Sequence, residues 1–206
     1  MIVQGFKPVI DHHSHILILG SMPSEESLKR QEYYANSRNQ FWRIMEILFD
    51  QDNRQDNKDE LIEKEVLERS DYAQVNEHKE KYNYKSNRRQ QLDISYAQKL
   101  EFVLRNQLAL WDVIAACERE GSLDSNIKSP EPNRFAELFA QYPNIHYLAF
   151  NGQKAFDVYQ RQVGLNLKEG LIYKALPSTS PANTMSLERK IEEWKILKDW
   201  INHTEK

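Results

Sequence analysis

Three short segments of this chain combine residue types that can do chemistry. The first is Gly20-Ser21-Met22-Pro23-Ser24, which directly follows the branched apolar run Ile16 to Leu19. Glycine permits a sharp exit from a strand, and proline fixes one backbone dihedral while removing a donor. The segment therefore reads as a rigid turn whose backbone lies open to a ligand, although taken alone it is also an ordinary strand-to-helix turn. The second segment runs from Tyr33-Tyr34 through Asn36-Ser37-Arg38-Asn39 to Gln40-Phe41-Trp42. Tyr33 and Tyr34 are suited to stacking on a planar ring, an interaction worth about 1–3 kcal/mol per nucleobase. The amide of Asn39 donates and accepts at once, so it could orient a water or read a base. It could equally cap the helix that Phe41 opens. The third segment, Pro177-Ser178-Thr179-Ser180-Pro181-Ala182-Asn183, joins hydroxyls, an amide and two prolines ahead of a helix. Such a stiff loop can contact phosphates through side chains and backbone N–H groups, and the same residues also suit a plain turn with helix caps.

The elements that must position these segments follow from hydrophobic spacing. Ile16 to Leu19 predicts a buried strand, and Leu108 to Trp111, Ile145 to Phe150 and Leu171 to Leu176 predict further strands. Helical spacing relates Phe41, Ile44, Met45, Leu48 and Phe49, then Leu100, Val103 and Leu104. The same spacing recurs at Phe135, Leu138, Phe139 and Tyr142, with Pro132 expected in the first turn. Ala155, Phe156, Tyr159 and Val163 make a further helical face. A last helix starts after Ser186, its expected N-cap, and turns Leu187, Ile191, Trp194, Leu197 and Ile201 inward. Strands alternating with helices predict an α/β fold: a three-layer α/β/α sandwich around a four-stranded parallel sheet. Ligands in such sheets bind outside the carboxyl ends of the strands. Phe41 is expected in the core.

Composition bounds the rest. The chain has 206 residues, 40% hydrophobic and 29% charged, enough for one sizeable domain spanning residues 1–206. The longest apolar run is far too short to cross a bilayer, and no signal-peptide pattern stands at the start. Cys117 is the only cysteine, so no internal disulfide forms, and a reducing, cytoplasmic setting is expected. It reads as a buried small residue. The net charge of −3 neither requires nor forbids nucleic acid, because a local groove can hold phosphates. Residues 50–93 form a charged insertion, acidic early and basic late around Tyr82 and Tyr84, read as a solvated surface segment. A short amphipathic helix at Leu61, Ile62, Val66 and Leu67 fits within it, and the late basic run could touch a nucleic-acid backbone. His12, His13 and His15 cluster near the start without acidic or cysteine partners at a telling spacing, which favours an exposed segment over a metal site.

In order and spacing, the three segments together resemble the uracil-DNA glycosylase superfamily. Gly20 to Ser24 is similar to its first motif, a glycine-x-x-proline turn beneath the extruded base. Asn39-Gln40-Phe41-Trp42 resembles the asparagine-x-phenylalanine-tryptophan of the mismatch-specific branch. Ser180-Pro181 resembles the second motif, a loop that enters the DNA minor groove, and Phe150-Asn151-Gly152 resembles a strand end of the same fold. The likeness spans residues 14–49 and 95–200 and is strongest to the hypoxanthine-DNA glycosylase branch, with its Gly-Ser-Met-Pro-Ser and Ser-Thr-Ser-Pro-Ala-Asn motifs.

The resemblance implies hydrolysis of the N-glycosidic bond of a deaminated base in DNA, hypoxanthine first and uracil second. Uracil enzymes place Asp or Asn where this chain has Met22, and His where it has Ser178. A thioether neither takes a proton nor orients a water. The hypoxanthine branch implies Asn39 as the catalytic residue instead, although that branch has His-Pro where Asn36-Ser37 stands here. Gly20, Ser21, Met22, Pro23, Ser24, Tyr33, Tyr34 and Asn151 are then expected to form the base pocket. Ser178, Thr179, Ser180, Pro181 and Asn183 are expected to bind DNA. No metal or cofactor is expected, and the partner is DNA containing a deaminated base, bound by a monomer without membrane association. Two rivals remain open: a catalytically silent lesion- or single-stranded-DNA-binding protein on the same fold, and a small-molecule nucleobase enzyme on a similar sheet.

Overall fold

The structure, a computed structural model, describes residues 2–49 and 95–204. Its centre is a parallel sheet in the order β3-β2-β6-β7, with β2 at Ile16–Gly20, β3 at Leu108–Asp112, β6 at Tyr147–Asn151 and β7 at Ile172–Leu176. β2 pairs with β3 from Ile16↔Leu108 to Gly20↔Asp112, and with β6 from Ile16↔Tyr147 to Leu19↔Phe150. β2 and β3 are buried along their whole length, which is why both read as unbroken apolar runs rather than alternating ones.

Side chains alternate between two cores. Leu17, Leu19, Ala109, Leu148 and Phe150 pack with Phe135, Leu138 and Phe139 of α4 (Phe135–Gln141) and with Val158 and Tyr159 of α5 (Gln153–Gln162). Ile16, Ile18, Leu110 and Ala149 pack on the other face against α2, helical over 41–49, and α3 (Tyr96–Arg105). Trp194 of α6 (Leu187–Trp194) and Trp200 of α7 (Ile196–Thr204) complete that side. A sheet covered by helices on both faces is the three-layer arrangement that the sequence predicts. Phe41 and Cys117 are buried, as expected.

Several local expectations are corrected. β1 (Ile2–Gln4), β4 (Ile114–Glu118) and β5 (Lys128–Pro132) form a second, antiparallel sheet in the order β1-β4-β5. Their runs are short, polar or interrupted, so no period betrays them. Pro132 ends β5 rather than opening α4, which starts at Phe135. The C-terminal helix is two helices that meet at Lys195, although Ser186 does cap the first by accepting the N–H of Arg189. Of the early histidines, His12 and His13 are exposed, but His15 is half-buried and stacks on His146 with ring centroids 5.9 Å apart. The charged insertion, and with it the amphipathic helix expected there, lies outside the described residues. Among the described residues no helix is long and apolar enough to cross a membrane.

Candidate active site

A cavity of about 320 Å³ opens at the carboxyl ends of the parallel strands. Gly20, Ser21, Met22, Pro23 and Ser24 form one wall, and Tyr33, Tyr34 and Asn39 another. Asn151, Ser178, Thr179, Ser180 and Asn183 supply a third, so segments more than a hundred residues apart meet around one space. Pro181 is an exposed neighbour of this lining rather than part of it.

Each wall is held by its own hydrogen bonds. Ser24 caps α1 (Glu25–Arg30) by accepting the N–H of Ser27 at 3.2 Å, which fixes the first turn. The hydroxyl of Ser21 donates to Asp124 at 2.6 Å, and Pro23 offers its carbonyl to the buried guanidinium of Arg119. Met22 is buried and belongs to a hydrophobic core. It shapes the wall without supplying a polar group.

Asn39 performs the duller of its two sequence-level roles and leaves the other open. Its Oδ1 accepts the N–H of Phe41 at 2.9 Å, tying down the first turn of α2, while Nδ2 has no hydrogen-bond partner among the described residues. Tyr34 lies in the left-handed region, with φ 55°, and stacks on Phe41 at 3.9 Å between ring centroids. A bulky residue there is held by its surroundings rather than by local preference. Its phenol is pushed well above the usual range by burial and then by the charge of Asp112, so it stays neutral. Tyr33 lines the cavity but is committed to the core: its hydroxyl donates to the Lys7 carbonyl and its ring meets Phe6 edge-on.

The third segment is stitched to the other two. Asn151, at the end of β6, donates Nδ2 to the Thr179 hydroxyl and accepts the Thr179 N–H through Oδ1, both at 2.8 Å. Both ends of that amide are thereby spent on the loop. The Thr179 carbonyl accepts the N–H of Gln40 at 3.0 Å. Lys190, 1% exposed on α6, donates to Gln40 Oε1 at 2.8 Å and to the Asn183 carbonyl at 3.0 Å. Burial lowers its pKa below the ordinary lysine range. This buried ammonium joins the loop of Asn39 to the loop of Ser178–Asn183.

Sequence reasoning missed one residue that stands out here. Asp112 ends β3, lines the cavity and is 4% exposed, and its Oδ2 has no hydrogen-bond partner. Burial, reinforced by the nearby charge of Asp124 and opposed by Arg119, pushes its carboxyl up to about 7. A carboxyl closing an apolar run at the carboxyl end of a parallel strand, level with Gly20, was the available signal. Ser122, Leu123 and Asp124 were also missed, and they reach the cavity from the turn after β4. Among the described residues no group of three or more His, Cys, Asp or Glu side chains could hold a metal ion.

The arrangement offers a cleft for a small ligand, its lining including the amide residue Asn39, the phenol residue Tyr34 and the buried acid Asp112, with an exposed loop tip at Pro181-Ala182 at its rim. Comparison with known proteins agrees with that shape. Residues 7–201 match the family model described as the uracil DNA glycosylase superfamily. A hypoxanthine DNA glycosylase from Methanosarcina acetivorans is 32% identical over 197 residues, covering 96% of this chain and 98% of the relative. Another, from Methanosarcina barkeri, is 31% identical and covers 93% and 94% of the two chains. The solution NMR structure of a candidate uracil DNA glycosylase from Methanosarcina acetivorans superposes with a TM-score of 0.67 at 31% identity, covering 97% of this chain and 99% of that one. The chain therefore belongs to the uracil DNA glycosylase superfamily and is a DNA glycosylase.

Proposed function

We propose that this glycosylase removes hypoxanthine, and less efficiently uracil, from DNA by hydrolysing the N-glycosidic bond. The observation that carries the reading is the convergence of Gly20–Ser24, Asn39 and Ser178–Asn183 on one cavity at the carboxyl ends of the parallel strands. Support for the substrate comes from the two relatives described as hypoxanthine DNA glycosylases.

A base inside a duplex is out of reach, so it must be swung out of the stack into the cleft. The loop of Ser178, Thr179, Ser180, Pro181 and Asn183 contacts the DNA backbone and enters the minor groove at its exposed tip. The extruded base lies over Gly20–Ser24. Asn39 donates Nδ2 to the base or orients the attacking water through the second lone pair of Oδ1, the first being taken by Phe41. Bond breaking passes through a cation-like sugar, already favoured by the DNA phosphates, and no catalytic metal is needed in this scheme. The enzyme works as a monomer on lesion-bearing DNA, in the reducing cytoplasm that a lone buried Cys117 suits.

Oligonucleotides bearing a single hypoxanthine, uracil or xanthine, incubated with the protein and then hot alkali, test the reading. Strand breaks at hypoxanthine are expected first and most. No breaks on any of the three would overturn it, and tight lesion binding without base release would mark a silent binder instead.

A further inference from the structure

The departing purine leaves the sugar with the electron pair of its glycosidic bond, and the cleft must meet that developing negative charge. Asn39 and Tyr34 bring an amide and a phenol to its lining. Asp112 answers that charge differently. Its carboxyl is almost fully buried, lies across Gly20, lines the cavity and has an unpartnered Oδ2. A buried polar atom without a partner is exceptional in a folded protein and calls for an explanation, of which a ligand is one.

We propose that Asp112 is a catalytic residue whose carboxyl hydrogen-bonds the extruded purine and gives its proton to a ring nitrogen as the base departs. This rests on the base-excision reading and deepens it. The electron pair of the C1′–N9 bond goes to the base, and the Asp112 proton goes to N3 or N7. The water oxygen bonds C1′, and the proton that water sheds returns to the carboxylate through solvent. Free base and a 1′-hydroxyl sugar result, with no other reactant.

The surroundings keep the acid in its proton-bearing form near neutrality. Burial and the Asp124 carboxyl raise it, and Arg119, beyond β4, opposes them. The phenols of Tyr33 and Tyr34 and that of Tyr96 on α3 are the other titratable groups facing it; all three are raised and stay neutral. A carboxylate here would repel the electron-rich leaving base, whereas a carboxylic acid donates to it.

Single-turnover excision from a duplex with one deoxyinosine, followed from about pH 5.5 to 9, tests the assignment. The wild-type rate is expected to fall above about pH 7. Asp112→Asn, which keeps shape but cannot give up a proton, is expected to be ~100-fold slower at the acid end and level across the range. Its affinity for a non-hydrolysable 2′-fluoro-deoxyinosine duplex should stay within ~3-fold of wild type, which a merely structural role would not require. A wild-type rate in Asp112→Asn, or the same fall with pH in both proteins, would overturn the proposal while leaving base excision intact. Should Asp112→Asn fail to fold, a wild-type rate that is level through neutrality overturns it alone. Absence of excision from every lesion would instead overturn the underlying reading and this one with it.

Discussion

Gly20 and Asp112 are register partners at the carboxyl ends of β2 and β3, and the glycine leaves the space that the carboxyl occupies. A Cβ at position 20 would stand 2.4 Å from Asp112 Oδ1 and 3.7 Å from the Tyr34 hydroxyl. Gly20 therefore does more than end a strand. It lets two polar groups close over the floor of the cleft.

Gly20→Ala is expected to displace the Asp112 carboxyl and to cost about 1–3 kcal/mol of stability, the usual scale of overpacking a tight site. Chemical denaturation of Gly20→Ala, Asp112→Gly and the double variant measures it. The double variant should lose less than the sum of the two singles, because the clash disappears with the carboxyl. Strict additivity would show that the two positions do not press on each other.

Asp112 also sets a pH dependence of stability with an unusual sign. Its carboxyl titrates near 7 in the folded protein against an ordinary 3.8, so between these values the folded state binds more proton than the unfolded state. Stability therefore declines as pH rises through that window, and the penalty is complete above about 7. Asp112→Asn removes the penalty. Its Tm should exceed that of wild type at pH 8 and the gap should shrink as pH falls toward 4, as thermal melts across the range would show. A constant gap would assign the effect to packing.

The structural bond of Asn39 and the chemical role proposed for it are separable. Asn39→Asp keeps the acceptor for the Phe41 N–H but lacks Nδ2, so near-wild-type Tm with strongly reduced excision is expected. Asn39→Ala loses both, adding a stability cost of about 0.5–2 kcal/mol, typical for loss of a helix-start acceptor. Full activity in Asn39→Ala would remove Asn39 from the chemistry.

Lys190 joins the Asn39 loop and the 178–183 loop of the cleft through Gln40 and the Asn183 carbonyl. Lys190→Met fills similar space without the donors and leaves those acceptors unmet, at about 1–3 kcal/mol. Excision should fall further than Tm alone explains, because the Asn39 loop and the 178–183 loop lose their common anchor. An unchanged rate at a temperature where the variant is fully folded would show that the anchor is dispensable.

Much of this molecule was legible in its sequence because the signals were local. Ile16–Leu19 and Leu108–Trp111 are continuous apolar runs, as strands buried on both faces must be, and they fell within a residue of their observed ends. Gly20–Ser24 and Ser178–Asn183 follow strand ends, where open parallel sheets bind ligands, so their convergence could be anticipated from connectivity. The second sheet could not. Ile2–Gln4 and Lys128–Pro132 owe their pairing to β4 rather than to any period of their own.

The sequence by itself determined the sheet, its helical cover and the family motifs, because burial imposes a period that residue types must obey. Only the tertiary structure decided which side chains face the cleft and which are spent elsewhere. Asn151 was drawn into the loop by Thr179, and Tyr33 into the core by Phe6 and Lys7. Asp112, an unremarkable carboxyl in the sequence, acquired its place and its raised pKa from burial beside Gly20, a contact across 92 residues that no local pattern encodes, positions 112 and 20 differing by that number.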